Sequence, residues 1–162
     1  KTIMPEELKT SLPIASLGNL VAQDYLATGL SLKAHPVTIL EPYFLVDGWQ
    51  PCSIAIDIMD GKKHQLIGLV TGRQMPGTAK GTVFITLEDA HYSLNVIVWP
   101  AIVRAYRAAL LGSHLLGVSG RIQKQGKIIH FIADKLVNCD LYLQYLRTPE
   151  LKMPILKSRN FH

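Results

Sequence analysis

Carboxylates and histidines are the side chains that could move protons or hold metal ions. Asp57 and Asp60 lie three residues apart in "SIAIDIMD", and Glu88 and Asp89 are adjacent in "TLEDAH". Metal-assisted phosphoryl transfer needs several carboxylates converging on one site. Neither pair has a third acidic partner at suitable spacing. Asp57 and Asp60 therefore read as structural or solvated, and Glu88-Asp89 as a turn-shaping pair, because an Asp side chain bonds readily to turn backbone. The six histidines are scattered, with no His-x-x-x-His pair. Gly-x-Ser-x-Gly and a phosphate loop are also missing. "GRQMPGTAKG" has Gly and Lys but lacks the strand–loop–helix setting of a phosphate cradle. The residues point to no catalytic constellation, no metal site and no cofactor.

A second group could bind rather than react. "GTVFITLEDAHYSLNVIVWP", Gly81 to Pro100, reads as two alternating strands around an acidic turn. If Val83, Ile85 and Leu87 face the core, Phe84, Thr86 and Glu88 face outward. On the partner strand Leu94, Val96 and Val98 would be core, which leaves Asn95 and Ile97 outside. An outward Phe84 is a platform on which a nucleic-acid base can stack, worth roughly 1–3 kcal/mol per base. Arg73, Lys80, Arg121, Lys124 and Lys127 fall on strands or loops around that face, and each could neutralise a phosphate. Trp99, just before Pro100, is expected to pack under the following helix. An apolar patch of Phe84 and Ile97 would equally suit a protein partner.

Charge is placed to match. The net charge is +5, but residues 61–130 hold nine Lys/Arg against two Asp/Glu, while residues 1–60 hold three against seven. A local basic surface attracts polyanions. At 162 residues and 48% hydrophobic, the chain can bury a core. No apolar run is long enough to span a membrane, so no membrane partner is expected and the cytoplasm is the expected compartment. Cys52 and Cys139 lack zinc spacing and read as free thiols in a reducing compartment. The chain begins at Lys1 with no signal-peptide pattern, and is read as a piece of a longer protein.

The elements that must position these residues follow from periodicity. Leu17, Leu20, Val21 and Tyr25 have helical spacing after Ser16, with Gly29 as the stop. "HPVTIL" predicts a turn and a short apolar helix, and "EPYFLVDGWQPCSIAIDIMDGKKHQ" a connector in which "SIAIDI" alternates like a short strand. "QLIGLVTGRQM" is a glycine-bent strand. "PAIVRAYRAALLG" predicts one helix, with Pro100 in its first turn and Gly112 past its end. "HLLGVSGRIQKQGKIIHFIADKL" gives two strands around a Gly-containing turn. The order strand, strand, strand, helix, strand, strand is that of the OB-fold. The predicted fold is mainly β with flanking helices: a five-stranded Greek-key OB barrel preceded by a small helical segment. Its expected parts are a helical segment and connector over 1–60, the OB domain over 61–137 and a basic tail over 138–162.

"GLVTGRQMPGTAKGTVFITLEDAHYSLNVIVWP" resembles the OB region of bacterial C-family DNA polymerases, through its "TAKG", "LED" and "VWP" blocks. "DYLATGLSLKAHP" is similar to the helical stretch before that domain, and "SRNFH" to the carboxyl terminus of the error-prone branch, the ImuC type. The resemblance implies a DNA-directed DNA polymerase (a nucleotidyltransferase) used in translesion synthesis and damage-induced mutagenesis. It places the nucleotidyl-transfer carboxylates outside this stretch and the OB domain near emerging single-stranded template DNA. "QYL", Gln144 to Leu146, lacks the aromatic end of a sliding-clamp motif, so the clamp is expected to be reached indirectly. The implied intermediary is an adaptor, an inactive Y-family-like protein. Leu141, Tyr142, Tyr145, Leu146 and Phe161 are the candidate docking residues.

Overall fold

The structure, a computed structural model, describes residues 35–146. The expected helix over 16–29 and the ending that holds Phe161 lie outside the described residues. Helix α1, Pro36–Leu45, starts at a His35 cap whose Nδ1 accepts from the Val37 amide at 3.1 Å. It buries Pro36, Val37, Leu40, Tyr43 and Phe44, a helical spacing. The chain then forms a two-residue strand β1, Gln50–Pro51, and a 3-10 helix, Cys52–Asp57. Strand β2 is Lys63–Gln74, β3 is Val83–Glu88 and β4 is Ser93–Val98. Two short helices follow, α2 at Pro100–Ala105 and α3 at Arg107–Gly112. Strands β5, Leu115–Gln125, and β6, Ile128–Asn138, lead to a 3-10 helix over Asp140–Leu146.

Strands β2 to β6 close into a barrel in the order β2-β3-β4-β6-β5, with β5 returning to β2. All contacts in it are antiparallel except β4 with β6. That connectivity, with the helices between β4 and β5, is the OB-fold. The long β2 serves both sides of the barrel. Its first half pairs with β5 and its second half with β3, across an irregularity between Val70 and Gly72. Inward rows Ile85–Val96–Phe131–Ile122 and Leu66–Val118–Leu136 fill the interior.

A second core lies outside the barrel. Ile67, Leu69 and Leu115 turn outward and are covered by α1, Trp49, Cys139 and Leu143. The Trp49 ring lies flat against Gly117, where a Cβ would sit 2.7 Å from its nearest carbon. Only glycine allows that approach.

Four local expectations are corrected. The helix after His35 does not stop at Leu40. It runs through Pro42, since both Pro42 and Thr38, whose carbonyl loses its amide partner, stand exposed to water. "SIAIDI" is a 3-10 helix, not a strand, because Cys52 and Ala55 are its buried positions and a period of three turns both inward. The helix after Pro100 breaks at Tyr106, whose φ −125° and ψ 36° lie outside the helical well. Tyr106 packs against the barrel core there. Trp99 is not under that helix: it is 50% exposed.

Candidate nucleic-acid interface

Strand alternation fixes which side chains β3 and β4 present. Their core positions are buried and Phe84 is 36% exposed, with Thr86 half-buried and Asn95 exposed beside it. Directly paired residues in a ladder point to the same side, so register extends this face around the barrel. Phe84 opposes Ile97, Ile97 opposes Ile132, Ile132 opposes Arg121, and Arg121 opposes Lys63. The neighbouring row runs Gly72–Thr86–Asn95–His130–Gln123. Ile97 is only 9% exposed yet belongs to neither core. It is sheltered between Phe84 and Ile132, its partners on the two flanking strands. The first row passes from aromatic through aliphatic to cationic.

The hairpin that carries Phe84 is held by Asp89. Its carboxylate accepts from the His91 amide at 2.9 Å and the Tyr92 amide at 3.0 Å, and ties in the 3-10 helix through the Ser53 amide at 2.8 Å. Burial pushes this carboxyl up, but the bonds from His91, Ser53 and Tyr92 outweigh it and hold it below its usual value. Asp89 is thus the turn-shaping residue that its type and position indicate. Being 5% exposed, it faces inward rather than toward a ligand.

The predicted cations are placed differently from one another. Lys80 and Lys127 are exposed on the loops at either side, β2–β3 and β5–β6. Lys80 is left-handed, at φ 51°. Arg121 is exposed and donates to the Gly61 carbonyl at 2.7 Å. The Lys124 ammonium donates to the Ile56 carbonyl at 2.8 Å. Both side chains are held by neutral carbonyls, which phosphate can replace, while the Asp60 carboxylate accepts from the Lys124 backbone amide at 2.8 Å. Arg73 is engaged elsewhere: its guanidinium donates to the carbonyls of Leu110 at 2.7 Å and of Ser113, closing the end of α3. Burial lowers its pKa, with Asp140 opposing.

The sequence singles out neither Ile132, His130 nor Lys63, and it assigns Trp99 to the helix rather than to this face. Trp99 is two residues beyond Ile97 and shares its outward parity. Ile132 and His130 join the face only through the parallel β4–β6 pairing, which alternation within one strand does not reveal.

Of the candidate docking residues, Tyr142 bonds the Asp47 carboxylate and meets the Phe44 ring edge-on at 6.3 Å. Tyr145 stacks on Tyr43 at 4.3 Å, and Leu146 packs against the outer core. Leu141 is exposed. Cys52 and Cys139 are free and buried, and burial pushes both thiols up, that of Cys139 to about 12. Among the described residues, no three His, Cys, Asp or Glu side chains are grouped to hold a metal ion. Likewise no helix there is long and apolar enough to cross a membrane.

Fold and outer face together define an OB-fold domain with a mixed aromatic and cationic wall. No protein-family model matches the chain. Among curated proteins it is 41% identical over 140 residues to the error-prone DNA polymerase of Vibrio parahaemolyticus, covering 86% of this chain and 13% of that protein. It is 40% identical over 159 residues to that of Dechloromonas aromatica, covering 96% and 14%. With error-prone DNA polymerase 2 of Agrobacterium fabrum it shares 38% over 131 residues, covering 81% and 12%. The chain belongs to the error-prone DNA polymerase family, consistent with its carboxyl-terminal region, and spans about an eighth of these relatives' length. Similar solved structures include asparaginyl-tRNA synthetase from Pyrococcus horikoshii, with TM-score 0.46 and 21% identity, covering 56% of this chain and 22% of that one. An OBody bound to hen egg-white lysozyme also has TM-score 0.46, with 9% identity, covering 56% and 92%.

Proposed function

We propose that this region holds single-stranded DNA, the template strand of an error-prone polymerase at work in translesion synthesis and damage-induced mutagenesis. Nucleotidyl transfer belongs to other parts of the enzyme. The region uses no cofactor of its own and works in the cytoplasm. The observation that carries this reading is the outward row Phe84–Ile97–Ile132–Arg121. An exposed ring at one end of the row and a cation at the other suit a base and its phosphate, with little demand on base identity. Exposed Trp99 offers a second ring on the same side.

The test is a fluorescence-anisotropy titration with a labelled single-stranded oligonucleotide at several salt concentrations. Affinity should fall linearly in log–log form with salt. Phe84→Ala should weaken binding at every salt by about five- to 150-fold, the equivalent of one stacked base. Absence of binding at low salt would end this reading.

A second reading is favoured by one observation: Leu141 is 52% exposed although its neighbours pack inward. An adaptor, an inactive Y-family-like protein, could dock there and link the polymerase indirectly to the sliding clamp. Leu141→Asp should then abolish capture of purified adaptor. Undiminished capture would remove this surface from the docking account.

A further inference from the structure

The row of outward side chains does not stop at Arg121. Lys63 continues it on β2, and the next row along β5 is Gln65–Ser119–Lys135. Between these rows lies a notch of about 350 Å³, lined among others by Lys63, His64, Gln65, Ser119, Asp134 and Lys135. It forms where β5 and β6 slip in register. Ser119 opposes Lys135 but Gly120 opposes Ala133, so Asp134 is left over as a bulge. The slip needs glycine, since a Cβ at Gly120 would lie 2.1 Å from the Ile132 carbonyl oxygen. Both lysines are exposed, and Asp134 is the single acid in the lining. The notch is therefore net positive.

Resting on the single-strand reading above, we propose that this notch is a second phosphate site, and that the bound strand continues round the barrel from Phe84 to reach it. Its ligand is the phosphodiester backbone of the same single strand. From Phe84 to Lys63 the row crosses four strand-to-strand steps. At ~4.8 Å per step this is about 19 Å along the wall. The apolar end accepts bases; Arg121, Lys63 and Lys135 at the other end accept phosphates. Gln65 and Ser119, 3.4 Å apart, add neutral donors between the lysines.

The experiment uses oligothymidylates of three to twelve nucleotides, titrated against the wild-type chain and against Lys63→Gln, Lys135→Gln, Phe84→Ala and Arg104→Gln. The last removes an exposed charge on α2 that is not part of the row. Thermal melting checks that each variant folds. For the dodecamer, each notch variant should weaken binding about fivefold and lower the salt slope by ~0.7, the value for one lost phosphate contact on a single strand. For the trinucleotide they should match wild type. Phe84→Ala should weaken binding at every length, and Arg104→Gln should change little. Unchanged dodecamer binding in the notch variants, with Phe84→Ala still weakened, overturns this proposal and leaves the Phe84 face intact. An equal loss in Arg104→Gln also overturns it, because the effect would then be general charge. Failure of the wild type to bind any length refutes the underlying reading as well.

Discussion

Replacing Asp89, buried in the turn between β3 and β4, should damage this fold strongly. The carboxylate serves three backbone amides, those of Ser53, His91 and Tyr92, at 2.8, 2.9 and 3.0 Å. Hydrogen bonds to a charged group contribute roughly 1.5–3 kcal/mol each. His91 is exposed, so water can replace Asp89 at its amide, whereas Ser53 and Tyr92 are half-buried. Asp89→Ala should therefore cost about 3–5 kcal/mol, dominated by those two amides. Asp89→Asn keeps one acceptor oxygen and should cost roughly half of that. At about 3–5 °C per kcal/mol for a chain of this size, the alanine variant should melt on the order of 10–20 °C below wild type. The carboxyl is held below its usual value, so the stability it supplies is present above about pH 3.8 and is lost as pH falls through the lower native value. Differential scanning calorimetry from about pH 2 to 7 measures both effects, because the loss falls below about pH 3.8. A loss under about 1 kcal/mol for Asp89→Ala, or equal acid sensitivity in wild type and variant, would refute the assignment of Asp89 as the clamp of this hairpin.

Two further predictions concern the covering layer. Gly117→Ala would place a Cβ within 2.7–2.9 Å of three Trp49 ring carbons and should force the indole away, costing about 1–3 kcal/mol by chemical denaturation. His35 caps α1 through an unprotonated Nδ1, and burial lowers its pKa, with Glu88 and Asp89 opposing and His91 adding to the shift. Stability from this cap is full above the unfolded value near pH 6.5 and declines as pH falls toward the lower native value. His35→Asn retains a capping acceptor and should flatten that part of the stability–pH curve.

The barrel was legible because β3 and β4 alternate cleanly and the helix position between the third and fourth strands is distinctive, whereas the runs Leu66–Leu69 and Leu115–Val118 are buried on both faces. "TVFITLE" and "SLNVIVW" assign Phe84 and Asn95 to the outside without any knowledge of neighbours. What was hidden depends on contacts between distant segments. Pro42 reads as a helix breaker in sequence, yet it sits on the solvent side of α1, where the missing amide costs little. Trp99 is apolar, and only the chain path around it leaves it half exposed among the described residues. Arg73 has the composition of a ligand contact, but its partners are carbonyls of α3 nearly forty residues away. Ile132 and Lys63 gain meaning from pairings of β6 with β4 and of β2 with β5, and register across a barrel cannot be counted along one strand.

In the single-strand reading, the outer wall of β3, β4 and β6 touches the nucleic acid. Amide chemical-shift mapping of the isotope-labelled chain with a single-stranded oligonucleotide tests it most directly. Shifts should concentrate at Phe84, Thr86, Asn95, Ile97, His130, Ile132 and Arg121. Shifts confined to α1 and the 140–146 turn, with that wall undisturbed, would contradict it.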